Sequence, residues 1–553
     1  MKCSKIGSLF RMIRKQFLVL LCFFSGIAVQ ADKVIETTNG LIQGITVATG
    51  DLEVEAFLSI PYAEPPIGDL RFRKPVPKTS WTGVYDASKL PPPCVQNITG
   101  ILYYEPNIEN MTEDCLFLNM WVPYSTKSNK LKPILLFIHG GAYNVGSGNQ
   151  KVMDGTNLAK LGDIIVANLN YRLGSFGLFS AFIEEADGNM GIYDQILALK
   201  WLWNNAKSFG GDPDHIVLMG ESAGAMCISN HVISPMSKGM IKRIILQSGS
   251  ATIPLILDNN AKLYATSHTF ATSVGCANKT FTLKDNPRAV VQCLKSLPPE
   301  ALSAGDGFLK RTNPITFIPR VGDEYLPIPV THNLKDGNFK DTELLIGVNK
   351  QEGAFFVSIS APQYFGTYGN SGVKVSKGFA HQTTSIMFSY LGQKDPRGIA
   401  DFYIKSVKNG TSEKYVRAIA LALGDGLIQC GAIFHAEFYS PRNPVYFYLL
   451  DRRPSSTPLA DWMETTHYDE LQYVFGNPLF ANFTPEEEKF SRRMMMRWIA
   501  FIKTGNPNIP DEVNWPVFKT DDPKYLILND EEKVMLKRLD DNRCEFWRER
   551  YEA

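Results

Sequence analysis

Short runs of apolar residues alternate with longer helix-like segments from Pro133 onward. A strand that is apolar along its whole length is buried on both faces, as in a parallel sheet between two layers of helices. The pattern therefore predicts one large α/β fold with a mostly parallel central sheet. The predicted strands are Ile134–Ile138, Ile164–Ala167, Ile216–Met219, Ile244–Gln247, Leu344–Ile346, Val445–Leu450 and Tyr525–Leu528.

The residues before Pro133 follow a different pattern. Val34–Thr37 and Leu41–Val47 are β-prone and flank Asn39-Gly40, a dipeptide typical of two-residue hairpins. A stretch rich in proline and glycine, residues 61–75, is typical of a loop. Since there are no internal repeats and no low-complexity linker, we expect a small N-terminal β region within a single domain over residues 32–553.

The first 31 residues have the pattern of a secretory signal peptide. Five basic residues precede the apolar stretch Phe17–Val29, and Val29-Gln30-Ala31 supplies small residues for cleavage. We expect a mature chain that begins at Asp32 and is secreted; a retained signal anchor is the alternative. The charged C-terminal end offers neither a lipid-anchor signal nor a membrane span, so we expect no membrane anchor there.

Composition and charge are those of an ordinary globular protein. Hydrophobic residues make up 44% and charged residues 20% of the 553 positions, which is enough for a sizeable core. The formal net charge is +1, and neither a basic run nor a zinc-finger spacing occurs. This balance argues against a nucleic-acid partner.

Cysteines and glycosylation sequons agree with secretion. Seven of the nine cysteines follow the signal peptide, which allows at most three disulfides and one free thiol. Cys227, on an apolar helix, is expected to be a small buried residue. Pairing the cysteines of the two short loops first leaves a third pair, so the expected bridges are Cys94–Cys115, Cys276–Cys293 and Cys430–Cys544. Sequons predict surface glycans at Asn97, Asn110, Asn278, Asn409 and Asn482.

The pentapeptide Gly220-Glu221-Ser222-Ala223-Gly224 is the strongest chemical signal. It follows the strand Ile216–Met219 and leads into a helix-like stretch, Ala223–Ile233. A serine at a strand-to-helix turn projects its hydroxyl above the sheet, and the flanking glycines permit close approach of backbone and substrate. The helix start also directs N–H groups at the site. This context predicts a nucleophile elbow at Ser222.

Two further stretches follow predicted strands, at the sheet edge where chemistry takes place in such folds. His139-Gly140-Gly141-Ala142-Tyr143 is an HGG-type loop, and we expect the N–H groups of Gly141 and Ala142 to form an oxyanion hole with that of Ala223. A plain glycine-rich turn is the alternative. Glu352, which follows Leu344–Ile346, is the candidate acid that orients a histidine, although most loop glutamates are simply solvated.

The catalytic base should follow the acid in chain order, which leaves His381, His435 and His467. His435 lies in a helical pattern and is expected to pack or to face solvent. His467 lies in a polar loop after the strand Val445–Leu450, so it is the best candidate.

These motifs identify a family resemblance. From about Val34 to Trp547 the chain resembles the type-B carboxylesterase/cholinesterase family of α/β-hydrolases. Besides the elbow and the oxyanion loop, the stretches that resemble family motifs are 60–66 (IPYAEPP), 113–119 (EDCLFLN), 194–195 (DQ), 209–213 (FGGDP) and 467–476 (HYDELQYVFG).

The resemblance implies an α/β-hydrolase that cleaves small-molecule carboxylic esters by acyl transfer, without a metal or an organic cofactor. It implies the triad Ser222–Glu352–His467, the oxyanion hole at Gly141, Ala142 and Ala223, and the same three disulfides. The tail after Cys544 has no further cysteine, so we expect no disulfide-linked oligomer through the C-terminus.

Substrate preference is less clearly indicated. Cholinesterases hold a quaternary ammonium chiefly on a tryptophan in the loop between the first bridged pair, yet residues 95–114 contain only tyrosines as aromatics. Leu255 stands where cholinesterases carry another tryptophan, which indicates a roomier acyl site. We therefore favour a general carboxylesterase, with a cholinesterase as the alternative. The expected substrate-binding residues are Glu221, Tyr104, Leu255, Phe355 and Phe356.

A non-enzymatic adhesion or binding module of the same fold is a further alternative. Such modules lack catalytic residues, whereas every triad candidate and the oxyanion loop are present in this sequence. The esterase interpretation is therefore preferred.

Overall fold

The computed structural model describes residues 33–48, 52–98, 110–124, 130–253, 260–311, 316–368, 373, 375–405, 407, 410–480 and 483–552. The predicted signal peptide, residues 1–31, lies outside the described residues. Strands β1 to β14 run over Val34–Thr37, Gly40–Gln43, Ile45–Ala48, Glu53–Pro61, Val84–Asp86, Phe117–Tyr124, Lys132–Ile138, Ile165–Leu169, Gly211–Glu221, Arg243–Gln247, Glu343–Asn349, Val445–Leu450, Tyr525–Leu528 and Lys533–Met535.

An eleven-stranded sheet, in the order β14-β13-β12-β11-β10-β9-β7-β8-β6-β4-β3, organises these strands. The seven strands predicted from apolar runs are β7 to β13, and every pair between neighbours among them is parallel. Antiparallel strands flank this block on both sides. The predicted mostly parallel α/β architecture is confirmed.

Both faces of the parallel block are buried, as its continuous apolar strands indicate. Along β7, Ile134, Leu136 and Ile138 lie in one hydrophobic core, whereas Leu135 and Phe137 lie in the other. Side chains alternate across a strand, so this division places a separate core on each face of the sheet.

Helices cover the two faces. The helices α1 to α17 run over Thr156–Gly162, Gly174–Leu178, Met190–Asn205, Ala223–Ile233, Asn260–Ser273, Pro287–Ser296, Pro299–Lys310, Val330–Lys335, Glu352–Ser360, Pro362–Phe365, Lys377–Tyr390, Pro396–Ala400, Ser412–Gly424, Cys430–Tyr439, Glu470–Val474, Pro485–Thr504 and Arg543–Glu552. A π-helical turn, Asp425–Gln429, joins α13 to α14.

The combined helix Ser412–Tyr439 is, among the described residues, long and apolar enough by composition to cross a bilayer. However, 89% of its most apolar window is buried inside the protein, so its apolar surface is covered by the rest of the fold. We therefore regard it as a core helix.

The N-terminal region differs in detail from the sequence pattern. The hairpin β1–β2 forms around Asn39-Gly40 as predicted, and β5 completes a small three-stranded sheet. The predicted strand Leu41–Val47 is wrong as one unit, because it breaks at Gly44 and its second half joins the large sheet as β3. Strands β4 and β6 were not predicted; β4 is bulged, so neither its pairing nor its burial alternates regularly.

Three disulfides tie loops to this framework, with the pairing expected from the sequence: Cys94–Cys115, Cys276–Cys293 and Cys430–Cys544. The third links the C-terminal helix α17 to α14. Cys227 is free and buried in α4, also as expected.

The strand register brings the candidate site residues together. Ile138 pairs with Gly220, Gly220 with Leu246, and Leu246 with Ile346, so the carboxyl ends of β7, β9, β10 and β11 are level. The oxyanion loop, the elbow and Glu352 follow β7, β9 and β11 within six residues. These segments therefore meet at one edge of the sheet, where open α/β folds bind ligands.

Candidate active site

Ser222 lies between strand β9, which ends at Glu221, and helix α4, which begins at Ala223. Its backbone has φ 53° and ψ −124°, a conformation that is costly for a residue with a side chain. The turn requires glycine on either side: a Cβ at Gly220 would lie 2.6 Å from the carbonyl carbon of Gly224, and one at Gly224 would lie 2.0 Å from the Ile138 oxygen. The local backbone thus has the strand–turn–helix form that the motif predicts.

Glu352 and His467 come together at this edge although 115 residues separate them. His467 Nδ1 donates to Glu352 Oε2 at 2.6 Å, and Glu352 Oε1 accepts the Asn349 N–H, also at 2.6 Å. Both side chains are buried. The sequence pattern indicated a loop at Glu352, but the residue is the first of helix α9. This pair can hold one imidazole tautomer and stabilise an imidazolium.

Glu221, in the elbow, lies beside the second ring nitrogen of His467. Its Oε1 lies 3.1 Å from His467 Nε2. Burial raises the pKa of Glu221 well above its usual range. Burial disfavours the His467 imidazolium, but the Glu221 and Glu352 carboxylates outweigh it and raise the pKa of His467 to about 9. A proton on Glu221 would remove this charge and make His467 easier to deprotonate.

The loop after β7 lies directly against the elbow. A Cβ at Gly140 would lie 2.9 Å from Ser222 Cβ and 2.7 Å from the Glu221 carbonyl oxygen. Gly141 and Ala142 both have positive φ, 108° and 52°. Within the described residues, the N–H groups of Gly141 and Ala142 have no hydrogen-bond acceptor. Unpaired N–H donors beside a serine can donate hydrogen bonds to an oxyanion that develops on the substrate.

Comparison with known proteins decides the family. The carboxylesterase family matches residues 31–547. The chain belongs to the carboxylesterase family. Acetylcholinesterase-1 of Trittame loki is 36% identical over 93% of the chain and 94% of that protein. Cholinesterase of Mus musculus is 34% identical over 96% and 89%, and acetylcholinesterase of Leptinotarsa decemlineata is 34% identical over 93% and 85%.

Family membership makes this chain a carboxylic ester hydrolase of the α/β-hydrolase fold, with small-molecule esters as substrates. The resemblance inferred from the sequence motifs is therefore confirmed. The enzyme interpretation is confirmed with it.

Two phenylalanine rings of this carboxylesterase lie beside His467. The ring centroids of Phe355 and Phe356 lie 5.9 Å and 4.9 Å from that of His467, and both rings are half-buried. Of the other residues predicted to bind substrate, Glu221 contacts His467, whereas Tyr104 and Leu255 lie outside the described residues. The structure thus brings three of the five together.

A buried polar network behind the site was not recognised from the sequence. Asn349 Nδ2 donates to Glu470 Oε2 at 2.6 Å and to the Thr466 carbonyl at 2.8 Å. Gln247 Nε2 donates to the other Glu470 oxygen at 3.2 Å. Burial, with the neighbouring Glu352 charge, raises the pKa of Glu470 to about 6. Glu470 lies three residues after His467 in a quoted motif, which is the one signal that pointed to it.

The other two candidate bases do not contact Glu352. His381 Nε2 pairs with Asp401 at 2.6 Å on a different part of the molecule. His435 is buried in α14, where neither ring nitrogen has a hydrogen-bond partner among the described residues. It packs against Tyr439, as the helical pattern indicated.

Potential metal ligands do not cluster, and the free thiol is buried, in the described part of the chain. This part contains no group of three histidine, cysteine or acidic residues that could hold a metal ion. Burial raises the pKa of the Cys227 thiol to about 12, so this thiol stays protonated. Gln195 Nε2 lies 3.4 Å from its sulfur.

Proposed function

We propose that this protein hydrolyses carboxylic esters through an acyl-enzyme on Ser222, with His467 as general base and Glu352 as its orienting acid. The observation that carries the proposal is the 2.6 Å contact between Glu352 and His467 beside the strained Ser222 turn. The order nucleophile, acid, base along the chain agrees with the fold.

In the first half-reaction, Ser222 Oγ attacks the ester carbonyl and His467 Nε2 takes the hydroxyl proton. The carbonyl oxygen becomes an oxyanion that accepts hydrogen bonds from the N–H groups of Gly141, Ala142 and Ala223. The tetrahedral intermediate collapses, and His467 returns the proton to the leaving alcohol. In the second half-reaction, water repeats the sequence and releases the acid.

Glu352 stabilises the imidazolium in both half-reactions, and the Asn349 N–H holds its other oxygen in place. Each oxyanion donor contributes roughly 3–4 kcal/mol of transition-state stabilisation in comparable sites. These groups supply the chemistry from side chains and backbone alone.

Labelling with an organophosphonate tests this assignment. We expect one adduct on Ser222, found by peptide mass spectrometry, and a loss of at least about 10⁴-fold in kcat for Ser222→Ala. Ser229→Ala, a buried serine on the same helix whose hydroxyl bonds the Ala225 carbonyl, is the matched control and should keep full activity. A loss below tenfold in Ser222→Ala would assign the nucleophile elsewhere.

We further propose that residues 1–31 are removed as a signal peptide and that residues 32–553 form one secreted domain. The three disulfides support an oxidising compartment. Expression in a secretory host should release the protein into the culture medium, with an N-terminal sequence that begins at Asp32. Retention of the chain in membranes would contradict this proposal.

Choline esters are the second candidate substrate class. Glu221 and the rings of Phe355 and Phe356 surround His467, and a cation beside Glu221 would favour its ionised form. The relatives named above are cholinesterases and acetylcholinesterases. Against this, residues 95–114 contain no tryptophan, so we keep general ester hydrolysis as the first proposal.

The ratio of kcat/KM for acetylthiocholine to that for its neutral, isosteric thioester separates the two candidates. A ratio far above one that collapses in Glu221→Gln identifies a cholinesterase. A ratio near one, with both substrates turned over, identifies a broad carboxylesterase.

A further inference from the structure

The oxyanion loop has an unusual backbone. Three consecutive residues, Gly141, Ala142 and Tyr143, have positive φ values of 108°, 52° and 62°. Two of them carry side chains, for which such values are sparsely populated. The conformation therefore persists only where surrounding contacts hold it.

The first of these contacts orients the Ala142 N–H. The Gly141 carbonyl accepts hydrogen bonds from the N–H groups of Asn144 and Val145, at 2.9 Å and 3.1 Å. In a planar trans peptide the C=O and the following N–H point in opposite directions. Holding the Gly141 oxygen on one side therefore aims the Ala142 N–H at the other side.

A side chain holds the next peptide. Asn144 Nδ2 donates to the Ala142 carbonyl at 2.7 Å, and Thr316 Oγ1 donates to Asn144 Oδ1 at 2.7 Å. The Thr316 hydroxyl thereby determines which end of the Asn144 amide faces Ala142. Both side chains are 3% exposed, so water does not readily replace either bond. The peptides before and after Ala142 are thus both held by residue 144.

Separate contacts place the rest of the loop. Gln96 accepts from the Gly146 N–H at 2.8 Å and donates to its carbonyl at 2.9 Å. The Gly174 N–H donates to the Tyr143 carbonyl at 2.8 Å. Removal of the Asn144 amide leaves these anchors and the backbone bonds to the Gly141 carbonyl intact, so the loop should stay in place. The peptide after Ala142 loses its side-chain bond, and with it Ala142 loses a contact that holds its positive φ and so the direction of its N–H.

We propose that Asn144 is a positioning residue that keeps the Ala142 N–H aimed at the oxyanion, with Thr316 orienting its amide. The inference rests on the proposed acyl-enzyme mechanism, in which this N–H is one of three donors. Asn144 does not touch substrate in this role; it acts through the backbone of Ala142.

Asn144→Ala and Asn144→Asp remove the donor, and Thr316→Val removes the orienting hydroxyl without adding charge. Since misalignment of a donor costs less than its deletion, we expect kcat for p-nitrophenyl acetate to fall about 10- to 100-fold in the Asn144 variants and about 3- to 10-fold in Thr316→Val. Thr316→Ser should restore activity. KM should change less than about 3-fold, because the hydrogen bond strengthens only as negative charge develops.

Ketone inhibitors provide a readout that a merely structural role would not move. Ser222 adds to a trifluoromethyl ketone to give a hemiketal oxyanion, with the proton on His467, whereas the matching methyl ketone binds without reaction. We expect the affinity for the trifluoromethyl ketone to fall by the same factor as kcat, with that for the methyl ketone unchanged.

Asn205→Asp is the matched control. Asn205 is also buried and donates to a backbone carbonyl, that of Trp201 at 2.9 Å, but it lies near the opposite end of β9 from Ser222. It should lose stability without changing kcat or the ketone ratio. Asn144 and Thr316 variants that lower only the melting temperature, or that weaken both ketones equally, would overturn the inference. If the wild-type protein takes up no organophosphonate, the proposed mechanism fails first, and the inference fails with it.

Discussion

Glu352 illustrates what a single residue must do in this site. Its two oxygens have different tasks, since one accepts the His467 Nδ1–H and the other the Asn349 N–H. It is also the first residue of α9, so the start of this helix fixes where its side chain begins.

Replacing Glu352 by Gln keeps the volume but removes the charge that stabilises the imidazolium. We expect kcat to fall about 10³- to 10⁴-fold with little change in KM, as in triads whose acid is made neutral. Steady-state kinetics would measure the effect. Glu413→Gln, an exposed glutamate on α13, is the control and should behave as wild type; a fall below tenfold in Glu352→Gln would show that another acid orients His467.

His435 permits a pH prediction at a single residue. Burial lowers its pKa from 6.5 to about 3, so below pH 6.5 the unfolded chain binds a proton that the folded protein does not. Stability contributed by this residue is therefore lost as pH falls, by up to about 1.4 kcal/mol per pH unit.

In His435→Phe, which fills the same space without polar atoms, this loss should vanish. The free energy of unfolding in urea, compared with wild type at pH 7.5, 5.5 and 4.5, should show an advantage of the variant that grows as pH falls. The exposed His332→Phe should show no such trend. An advantage of His435→Phe that is constant with pH would show that His435 binds a proton equally in the folded and unfolded states.

At the scale of elements, helix α16 carries a capping box that is visible in the sequence, and it packs against the strand next to the elbow. Thr484 and Glu487 form a capping box at its start, with Thr484 Oγ1 accepting the Glu487 N–H and Glu487 accepting the Thr484 N–H. Further along, Trp498 donates to Gln247 Oε1 at 3.2 Å, and the Gln247 carbonyl accepts the Ser222 N–H at 2.9 Å. The helix therefore packs directly behind the elbow.

Thr484→Ala should lower the free energy of unfolding by about 1 kcal/mol through loss of the cap. The same change destroys the sequon at Asn482, so the comparison must be with Asn482→Gln, which removes only the sequon. Thr484→Ser keeps both and should match wild type in urea unfolding. Equal stability of Thr484→Ala and Asn482→Gln would mean that the cap contributes nothing.

The elements themselves were predictable to different degrees. Strands β7 to β13 and the helix Ala223–Ile233 follow from apolar runs and from the elbow motif, because a doubly covered parallel strand needs apolar residues at every position. Strand β4 did not follow, because its bulge interrupts the regular alternation of apolar and polar residues that identifies a strand in an antiparallel sheet.

For the whole molecule, secretion and glycosylation remain predictions that the surface can refine. Asn110 and Asn278 are exposed. Asn97, in contrast, donates its amide to the Ser303 carbonyl at 3.1 Å, and a Cβ at Gly307 would lie 2.5 Å from that amide nitrogen. The Asn97 side chain thus packs against helix α7, where a glycan would displace it. Asn409 and Asn482 lie outside the described residues.

Glycopeptide mass spectrometry of protein secreted from a eukaryotic host should find glycans on Asn110 and Asn278 and none on Asn97. Conversion of glycosylated asparagine to aspartate by a glycosidase provides the control for occupancy. A fully occupied Asn97 would require helix α7 to sit differently from the structure described.

The sequence by itself determined which segments form the strands of the parallel block, the elbow, the candidate acid and base, and the cysteine pairing, because each depends on local pattern, on spacing or on order along the chain. Only the tertiary structure decided that Glu221 faces His467, that Asn349 and Glu470 support Glu352, and that Asn144 holds Ala142 with Thr316. Asn144 and Thr316 are 172 residues apart. Their contact depends on how the strands and helices between them pack, so no local pattern in either segment records it.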